Sequence, residues 1–592
     1  MKYRPEIDGM RAFAVIAVVL FHAGFSTLSG GFIGVDVFFV ISGYLITTII
    51  VSDLNAGSFT YRKSFERRVR RILPALIFVS LACVPFAYFW MLPDELQNFG
   101  QSLFATGLSV NNVLLEATSG YWAMDADYKP LLHTWSLGVE EQYYVVVPIL
   151  LAMLWRLSRR AVPIAIVVLG LGSLVLADVM IDRSPKFAFF MLPTRAWELA
   201  AGALTALILI RNPRLRHLPQ SPALAAGGLI LVLAPVFIFG ETTDTPGLPL
   251  LVPVLGTCLV VCFAAQDRGV GRLLSARPVV AIGLMSFSAY LWHQPLFAFA
   301  RVYAAQAPPA WVTVGLAAAS FALAWATWKY VETPFRSQKR TSRGAVFATA
   351  ATGVAAMAAI GLGLHVTDGL PARLPAGSNA DNATIAYNRA VFDLKVDAFN
   401  DANRRHVLIV GNSLARDFVN SVREAFPSDQ LRTLEIVYRD DFPPCVDDAA
   451  GILRTLYDDA EVVITPGDVA MACAEENVDV VTADGKDFLV VGTKAFGENL
   501  NWLMRSGDWT NQTNEVPEAT LAMDAHDRAA LPSDNYVSWL EPVLVDKTRI
   551  PITDDEGRLL TTDKRHFSQA GARYFGERVL RRSQVSDVLF NK

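Results

Sequence analysis

Charge is scarce in this chain. Asp, Glu, Lys and Arg make up 18% of its 592 residues, and the formal net charge is only −4. Without a basic excess the chain lacks the electrostatic footprint of a nucleic-acid binder, so no nucleic-acid partner is expected. Cysteine is scarce too, with five residues. Cys83, Cys258 and Cys262 fall in apolar stretches, where a buried thiol behaves as a small hydrophobe. Cys445 and Cys473 fall in the polar C-terminal part. They could form a disulfide in an oxidising compartment, although spacing alone does not prove pairing. No small-residue cleavage site follows the first apolar run, and Met1–Met10 carries charges of both signs. The first helix is therefore expected to stay in the membrane rather than be removed as a signal peptide. No usable internal repeat and no recognisable glycan-binding motif are present, and no metal site is expected.

What the chain has in abundance is apolar sequence: 53% of its residues are hydrophobic and its mean hydropathy is +0.34. That is too apolar for a soluble protein and too long for one domain. The apolar stretches end near residue 366, and residues 367–592 read as a polar, acidic globular chain. Eleven stretches have spanning character: 11–26, 32–51, 73–92, 138–155, 162–181, 190–210, 222–239, 249–265, 278–301, 311–330 and 344–366. Basic clusters, "YRKSFERRVRR" (61–71), "RLSRR" (156–160), "RNPRLR" (211–216), "RGVGR" (268–272) and "RSQKRTSR" (336–343), fall in alternate loops. The longest opposite loop, 93–137, carries only Lys129. The positive-inside rule then places the N-terminus in the cytoplasm, and an odd number of spans places the C-terminal part outside. Residues 367–400 have linker composition.

Ionisable groups inside a membrane are costly, which makes each a functional candidate. In "MRAFAVIAVVLFH" ten uncharged residues separate Arg11 from His22. A helix carries the histidine roughly 16 Å beyond the arginine, near the middle of a ~30 Å hydrocarbon core if Arg11 marks one face. Taken alone, His22 is either a histidine satisfied by a neighbouring helix or a reactive group. Arg68 and Arg71 in "RRVRRILP" share one helix face. They either anchor a cytoplasmic loop or clamp a phosphate-rich ligand, since guanidinium forks bind phosphate at two points. His133, Glu140, Glu141, Arg195, Glu198, His293 and Glu332 lie at or near helix ends, where pairing or anchoring is the ordinary role.

The strings "YRPEIDGMRAFAVIAVVLFH", "GGFIGVDVFFVISGYLIT", "HTWSLGVEEQYY", "SAYLWHQP" and "YVETPFR" run in that order over residues 3 to 336. Together they resemble the acyltransferase 3 family of membrane acyltransferases. Its Arg-x10-His arrangement falls on Arg11 and His22, and its Arg-x-x-Arg arrangement on Arg68 and Arg71. The resemblance implies about ten core helices that take an acyl group, usually acetyl, from cytosolic acetyl-CoA and deliver it across the membrane. On this reading residues 1–336 form the transmembrane domain and 337–366 a linking transmembrane helix. A neutral imidazole can serve as base or acyl acceptor. Arg68 and Arg71, with Arg11, would meet the CoA phosphates. Asp36 in "GVDVFF" is a candidate for orienting or charge-balancing the site, with His133, Glu141 and His293 as further candidates.

In the polar part, "HVLIVGNSLARDF" (406–418) reads as a strand ending in Gly411-Asn412-Ser413, then a helix. A serine at such a turn is exposed, and the helix N-terminus favours developing negative charge. Near the end of the chain, "TTDKRHFSQAGARYF" (561–575) spaces Asp563 and His566 so that the carboxylate can orient the imidazole. Either string alone is unspecific. Their combination resembles the SGNH hydrolase family, whose serine, aspartate and histidine fall on Ser413, Asp563 and His566. The resemblance implies an α/β/α domain with a parallel sheet over 401–592, with "EVVIT" (461–465) and "DFLVVGT" (487–493) as inner strands. The family's Gly-x-Asn aligns best with Gly492-Thr493-Lys494, where lysine replaces the asparagine. The expected oxyanion donors are then another side chain or the backbone amides near Ser413 and Gly492.

The fusion implies an O-acetyltransferase relay from cytosolic acetyl-CoA through His22 to an acyl-Ser413, with His566 as base. The acceptor would be a cell-envelope glycan or lipid-linked oligosaccharide, with lipopolysaccharide O-antigen or exopolysaccharide ranked before peptidoglycan. The setting would be the bacterial inner membrane, with the C-terminal domain in the periplasm. One alternative is a membrane-anchored carbohydrate esterase, for which so many charged-motif-bearing spans are excessive. The other is a glycan exporter, for which paired Gly/Pro-broken helices in two halves would be expected and are not obvious.

Overall fold

The computed structural model describes residues 3–118, 126–211, 221–240, 242–305, 307–374, 387, 389–467, 473–561 and 563–590. It divides into two compact units, one of Met1–Phe89 and Glu95–Val366, the other of Trp90–Asp94 and Thr367–Lys592. The expected basic loop at 212–216 and the linker residues 375–386 and 388 lie outside the described residues.

The first unit is helical. Its main elements are α1 (Pro5–His22), α2 (Gly34–Asn55), α3 (Tyr61–Trp90), α4 (Thr134–Leu157), α5 (Ala161–Arg183), α6 (Leu192–Arg211), α7 (Ser286–Tyr303), α8 (Ala310–Thr327) and α9 (Arg343–Val366). Pro5 at the first helical position and Glu6 and Asp8 in the first turn suit the start of α1. Among the described residues, six helices are long and apolar enough to cross a membrane: Gly31–Asn55, Tyr61–Trp90, Thr134–Leu157, Ala161–Arg183, Ala310–Arg336 and Arg343–Val366. Each contains all or most of one expected stretch. The stretches at 222–239 and 249–265 form the shorter apolar helices Pro222–Ile238 and Leu248–Phe263. That at 278–301 is split at Met285 into Arg277–Leu284 and α7, and those at 11–26 and 190–210 fall on α1 and α6, which carry charged side chains.

Large apolar side chains such as Val168, Leu171, Ile230 and Trp311 are exposed on this unit, a surface that lipid tolerates and water does not. Small residues set a close helix crossing. A Cβ added at Gly43 of α2 would lie 1.9 Å from the Leu199 carbonyl oxygen of α6, and one at Gly202 would lie 1.9 Å from that of Val40. Only glycine lets these backbones approach so closely. A buried ion pair reinforces the contact: Arg195 Nη2 of α6 donates to Asp36 Oδ1 of α2 at 2.7 Å.

The second unit is built on a five-stranded parallel sheet of β1 (Arg405–Val410), β2 (Leu434–Arg439), β3 (Val462–Pro466), β4 (Asp487–Val491) and β5 (Tyr536–Val537), in the order β2-β1-β3-β4-β5. The two stretches expected as inner strands are β3 and β4, and β3 is buried throughout, as a strand covered on both faces must be. From β1 the chain passes first to β2 on one side and later to β3 on the other. Such a reversal opens a crevice at the carboxyl end of β1. Helix α10 (Ser413–Ala425) starts there, and α11 (Gln569–Arg578) follows the Asp563–His566 loop. Cys445 and Cys473 are joined in a disulfide.

Candidate functional site

In the second unit three distant stretches of chain meet at the carboxyl end of β1. Gly411 makes the turn out of the strand with φ +138°, and a Cβ there would lie 3.0 Å from the Pro466 carbonyl oxygen, so the turn requires glycine. The Asn412 side chain then caps α10 by accepting the Leu414 N–H at 3.0 Å. This leaves Ser413 as the first residue of the helix, with its hydroxyl 2.8 Å from His566 Nε2. His566 Nδ1 lies 2.6 Å from Asp563 Oδ2, while Asp563 Oδ1 accepts the backbone N–H of Arg565 at 2.6 Å and of His566 at 2.8 Å. With the Nδ1 proton held by Asp563, Nε2 is free to accept the serine proton.

The electrostatics agree with that assignment. Burial alone would raise the Asp563 carboxyl, but His566 and the two backbone donors hold it below its ordinary value. Burial works against a charged imidazole at His566, yet Asp563 and then Asp417 outweigh it, and the ring titrates above 6.5.

Both sequence-based oxyanion candidates can now be placed. The Ser413 N–H opens α10 and has no hydrogen bond among the described residues, as an anion-binding amide needs. Gly492 is a correction: its N–H donates to the Val537 carbonyl at 2.9 Å and is spent. The reason lies in the sheet order. The neighbour of β1 on the open side is β3, and a Cβ at Gly467 just beyond it would meet Leu414 at 2.9 Å. Residues 468–472, which follow, lie outside the described residues. Lys494 is no oxyanion donor either. Its ammonium is buried 2.7 Å from Asp417 Oδ2 and 4.3 Å from the centre of the Phe567 ring.

In the first unit, Arg11, Arg68 and Arg71 line a single cavity together with Ser42, Glu140 and Tyr290. Arg68 donates from Nε to Glu141 Oε2 at 2.6 Å and stacks 3.8 Å from the centre of the Tyr144 ring. Arg11 pairs with Asp8 at 3.3 Å. Arg71 has neither a hydrogen bond nor an ion pair among the described residues, which leaves its guanidinium available to an anion in the cavity. Ser42 donates to Glu140 Oε1 at 2.7 Å.

His22, the last residue of α1, lies among other imidazoles. Its ring centre is 5.1 Å from that of His293 on α7, which is 5.4 Å from that of His133 at the start of α4. His22 Nδ1 lies 2.9 Å from the Val18 carbonyl oxygen and His293 Nδ1 2.5 Å from that of Tyr290. If each Nδ1 donates its proton to that carbonyl, each Nε2 keeps its lone pair. His293 Nε2 is buried without a hydrogen bond. Tyr290 lines the arginine cavity, and its ring centre is 5.3 Å from that of His133 and 5.2 Å from that of His293. Its hydroxyl is tied to Ser136 Oγ at 2.7 Å and donates to the His133 carbonyl at 2.9 Å.

Asp36, the candidate for orienting or charge-balancing the site, does not line the cavity; it is bound to Arg195, whose Nε also faces Glu198 Oε1 at 3.4 Å. Sequence reasoning missed Tyr290 and Asp417. Tyr290 lies inside a quoted motif, and Asp417 stands four residues after Ser413, hence on the same face of α10.

A serine hydroxyl activated by an imidazole that a carboxylate orients is the arrangement of covalent acyl chemistry. The helical unit places an arginine-lined cavity beside a histidine cluster. Residues 4–329, more than half of the chain, match the family model Acyl_transf_3, the acyltransferase domain, and the chain belongs to that family. It is 30% identical over 349 residues to the peptidoglycan O-acetyltransferase OatA of Listeria monocytogenes, covering 57% of this chain and 56% of the relative. It is 28% identical over 357 residues to the O-acetyltransferase OatA of Staphylococcus aureus strain NCTC 8325, covering 57% of this chain and 58% of the relative. The match thus spans a little over half the length of these relatives. No solved structure matches the chain.

Proposed function

We propose that this protein is a membrane O-acetyltransferase that moves an acetyl group from cytosolic acetyl-CoA to a hydroxyl of a cell-envelope glycan. The observation that carries this reading is the triad, with Ser413, His566 and Asp563 linked at 2.8 and 2.6 Å, in a chain of the acyltransferase family. Arg71, with Arg11 and Arg68 beside it, would hold the CoA phosphates by charge-assisted hydrogen bonds. His22 Nε2 would take the acetyl group from the thioester, forming a C–N bond as the C–S bond breaks, and the departing sulfur takes up a proton. The acetyl group would then pass to Ser413 as His566 accepts the hydroxyl proton. His566 gives that proton up to solvent as the C–N bond to His22 is broken, and the Ser413 ester is then released to the acceptor hydroxyl, whose proton His566 takes and hands to the departing Ser413 oxygen. The Ser413 amide would hold the oxyanion in both steps on the serine. The second unit resembles an SGNH hydrolase in its Gly411-Asn412-Ser413 turn, its Asp563–His566 spacing and its parallel sheet. Basic clusters in alternate loops, hence on one side, and the Cys445–Cys473 disulfide support a cytoplasmic N-terminus and an extracytoplasmic second unit in a bacterial inner membrane. The name of the Listeria monocytogenes relative brings peptidoglycan up beside O-antigen and exopolysaccharide as the acceptor to test first.

The test is the O-acetyl content of envelope glycans in a deletion strain complemented with wild type, His22→Ala or Ser413→Ala. A lowered content that only wild type restores is the expected result. A raised content that Ser413→Ala alone fails to reverse would mean a deacetylase and overturn the proposal.

A further inference from the structure

The Asp417–Lys494 pair has no place in the chemistry just described, yet it lies against the triad and is almost completely buried, with side-chain exposures of 2% and 1%. Burying a charge pair is expensive, and hydrophobic residues of similar volume often serve stability as well, so stability alone is a weak reason for it. Its connections are specific. Asp417 lies one helical turn after Ser413 on α10, and its Oδ2 accepts both the Lys494 ammonium at 2.7 Å and the Phe567 N–H at 3.1 Å. Phe567 follows His566 directly. Its ring is locked in the core, stacked at 4.7 Å on Phe575 and edge-on at 5.1 Å to Trp539. One carboxylate oxygen thus ties the helix that carries the nucleophile to the loop that carries the base.

We propose that Asp417, held and neutralised by Lys494, is the positioning residue that keeps His566 within hydrogen-bond reach of Ser413. Lys494, at the position where the SGNH resemblance leads one to expect an oxyanion asparagine, acts as counter-ion to this tether. The proposal rests on Ser413 being the acyl-accepting nucleophile. The charged groups acting on His566 are Asp563 from its own loop, Asp417 from α10, Lys494 from the stretch after β4, and Asp94 from the segment Trp90–Asp94. Asp417 favours the charged imidazole and Lys494 disfavours it. Removing one or the other should therefore move the His566 titration in opposite directions.

The experiment follows the release of 4-nitrophenolate from 4-nitrophenyl acetate by the full chain in detergent, as a function of pH. Ser413→Ala must abolish release; if it does not, the nucleophile assignment itself falls. With release dependent on Ser413, Asp417→Asn should lower the midpoint of the kcat/KM profile and Lys494→Met should raise it. Either single change strands a buried charge and is liable to unfold the unit, so two charge-neutral pairs complete the test. Asp417→Asn/Lys494→Met keeps an oxygen for the Phe567 N–H, whereas Asp417→Leu/Lys494→Met does not. The first pair should exceed the second in kcat by about tenfold, with KM alike, as expected for losing one buried acceptor. Equal kcat in the two pairs would overturn the proposal. So would profile midpoints that stay put or move the same way in folded single variants.

Discussion

Replacing Cys445 and Cys473 with serine should loosen the second unit by a calculable amount. The disulfide joins residues 28 apart in sequence. In the chain-entropy account, cross-linking a loop of that length removes enough freedom from the unfolded chain to stabilise the fold by about 3.6 kcal/mol at 25 °C. That corresponds to a change of about 400-fold in the ratio of unfolded to folded second unit. With a urea slope of about 3 kcal/mol per molar, the unfolding midpoint should fall by about 1.2 M. Pulse proteolysis of the full chain in detergent, reading disappearance of the intact second unit against urea, measures this. A midpoint unchanged by the double serine variant would refute the argument. The same cysteines report the compartment. In intact cells that are then denatured with a maleimide polymer, the wild-type chain should take three tags, on Cys83, Cys258 and Cys262, and five only after reduction. Five tags without reduction would mean that the bond does not form in the cell and would remove one support for the extracytoplasmic placement.

The triad makes stability and activity respond oppositely to pH. His566 is raised above 6.5 in the fold, so the stabilisation from its charged form is complete below 6.5 and is lost as pH climbs through the folded value. Asp563 is lowered below 3.8, so its contribution is present above 3.8 and is lost as pH falls through the folded value. Ser413-dependent turnover needs neutral His566 and should therefore rise with a midpoint above 6.5; a midpoint at or below that value in the wild type would contradict the Asp563–His566 geometry. In the first unit, Arg71→Ala should raise the KM for acetyl-CoA by about tenfold or more while changing kcat less, as expected from losing a charged hydrogen bond to phosphate. Steady-state kinetics in vesicles checks this, and an unaltered KM would place the CoA phosphates elsewhere.

Much of the chemistry was legible in the linear sequence because it sits in short, spaced strings. Gly411-Asn412-Ser413 announces a strand-to-helix turn through residues adjacent in the chain. Asp563 and His566 lie within one loop, so their spacing alone allows the 2.6 Å contact. Arg68 and Arg71 were legible as a candidate anion clamp from residue type and helix periodicity, and Arg11 joined them through the family resemblance. The six long apolar helices were equally legible, because mean hydropathy over a spanning length needs no knowledge of neighbours. The remaining expected spans were harder, since α1 and α6 carry charges whose burial depends on what packs against them.

What the chain order could not reveal is which groups reach the same point from far apart. The partner of Asp36 is Arg195, which α6 brings to it from 159 positions away. Gly492 reads as an oxyanion donor until the sheet order hands its amide to Val537. His22, His133 and His293 come from three helices, and nothing in their spacing predicts that their rings converge. Sequence by itself therefore determined the six long apolar spans, the turn that sets Ser413 at the start of its helix and the loop that pairs Asp563 with His566, since these follow from local periodicity, hydropathy and short-range hydrogen bonds. The tertiary structure alone decided which amide stays free, which carboxylate is neutralised by which cation, and which imidazoles meet. Each of those depends on competition among distant partners for one donor or one buried charge, and packing settles that competition.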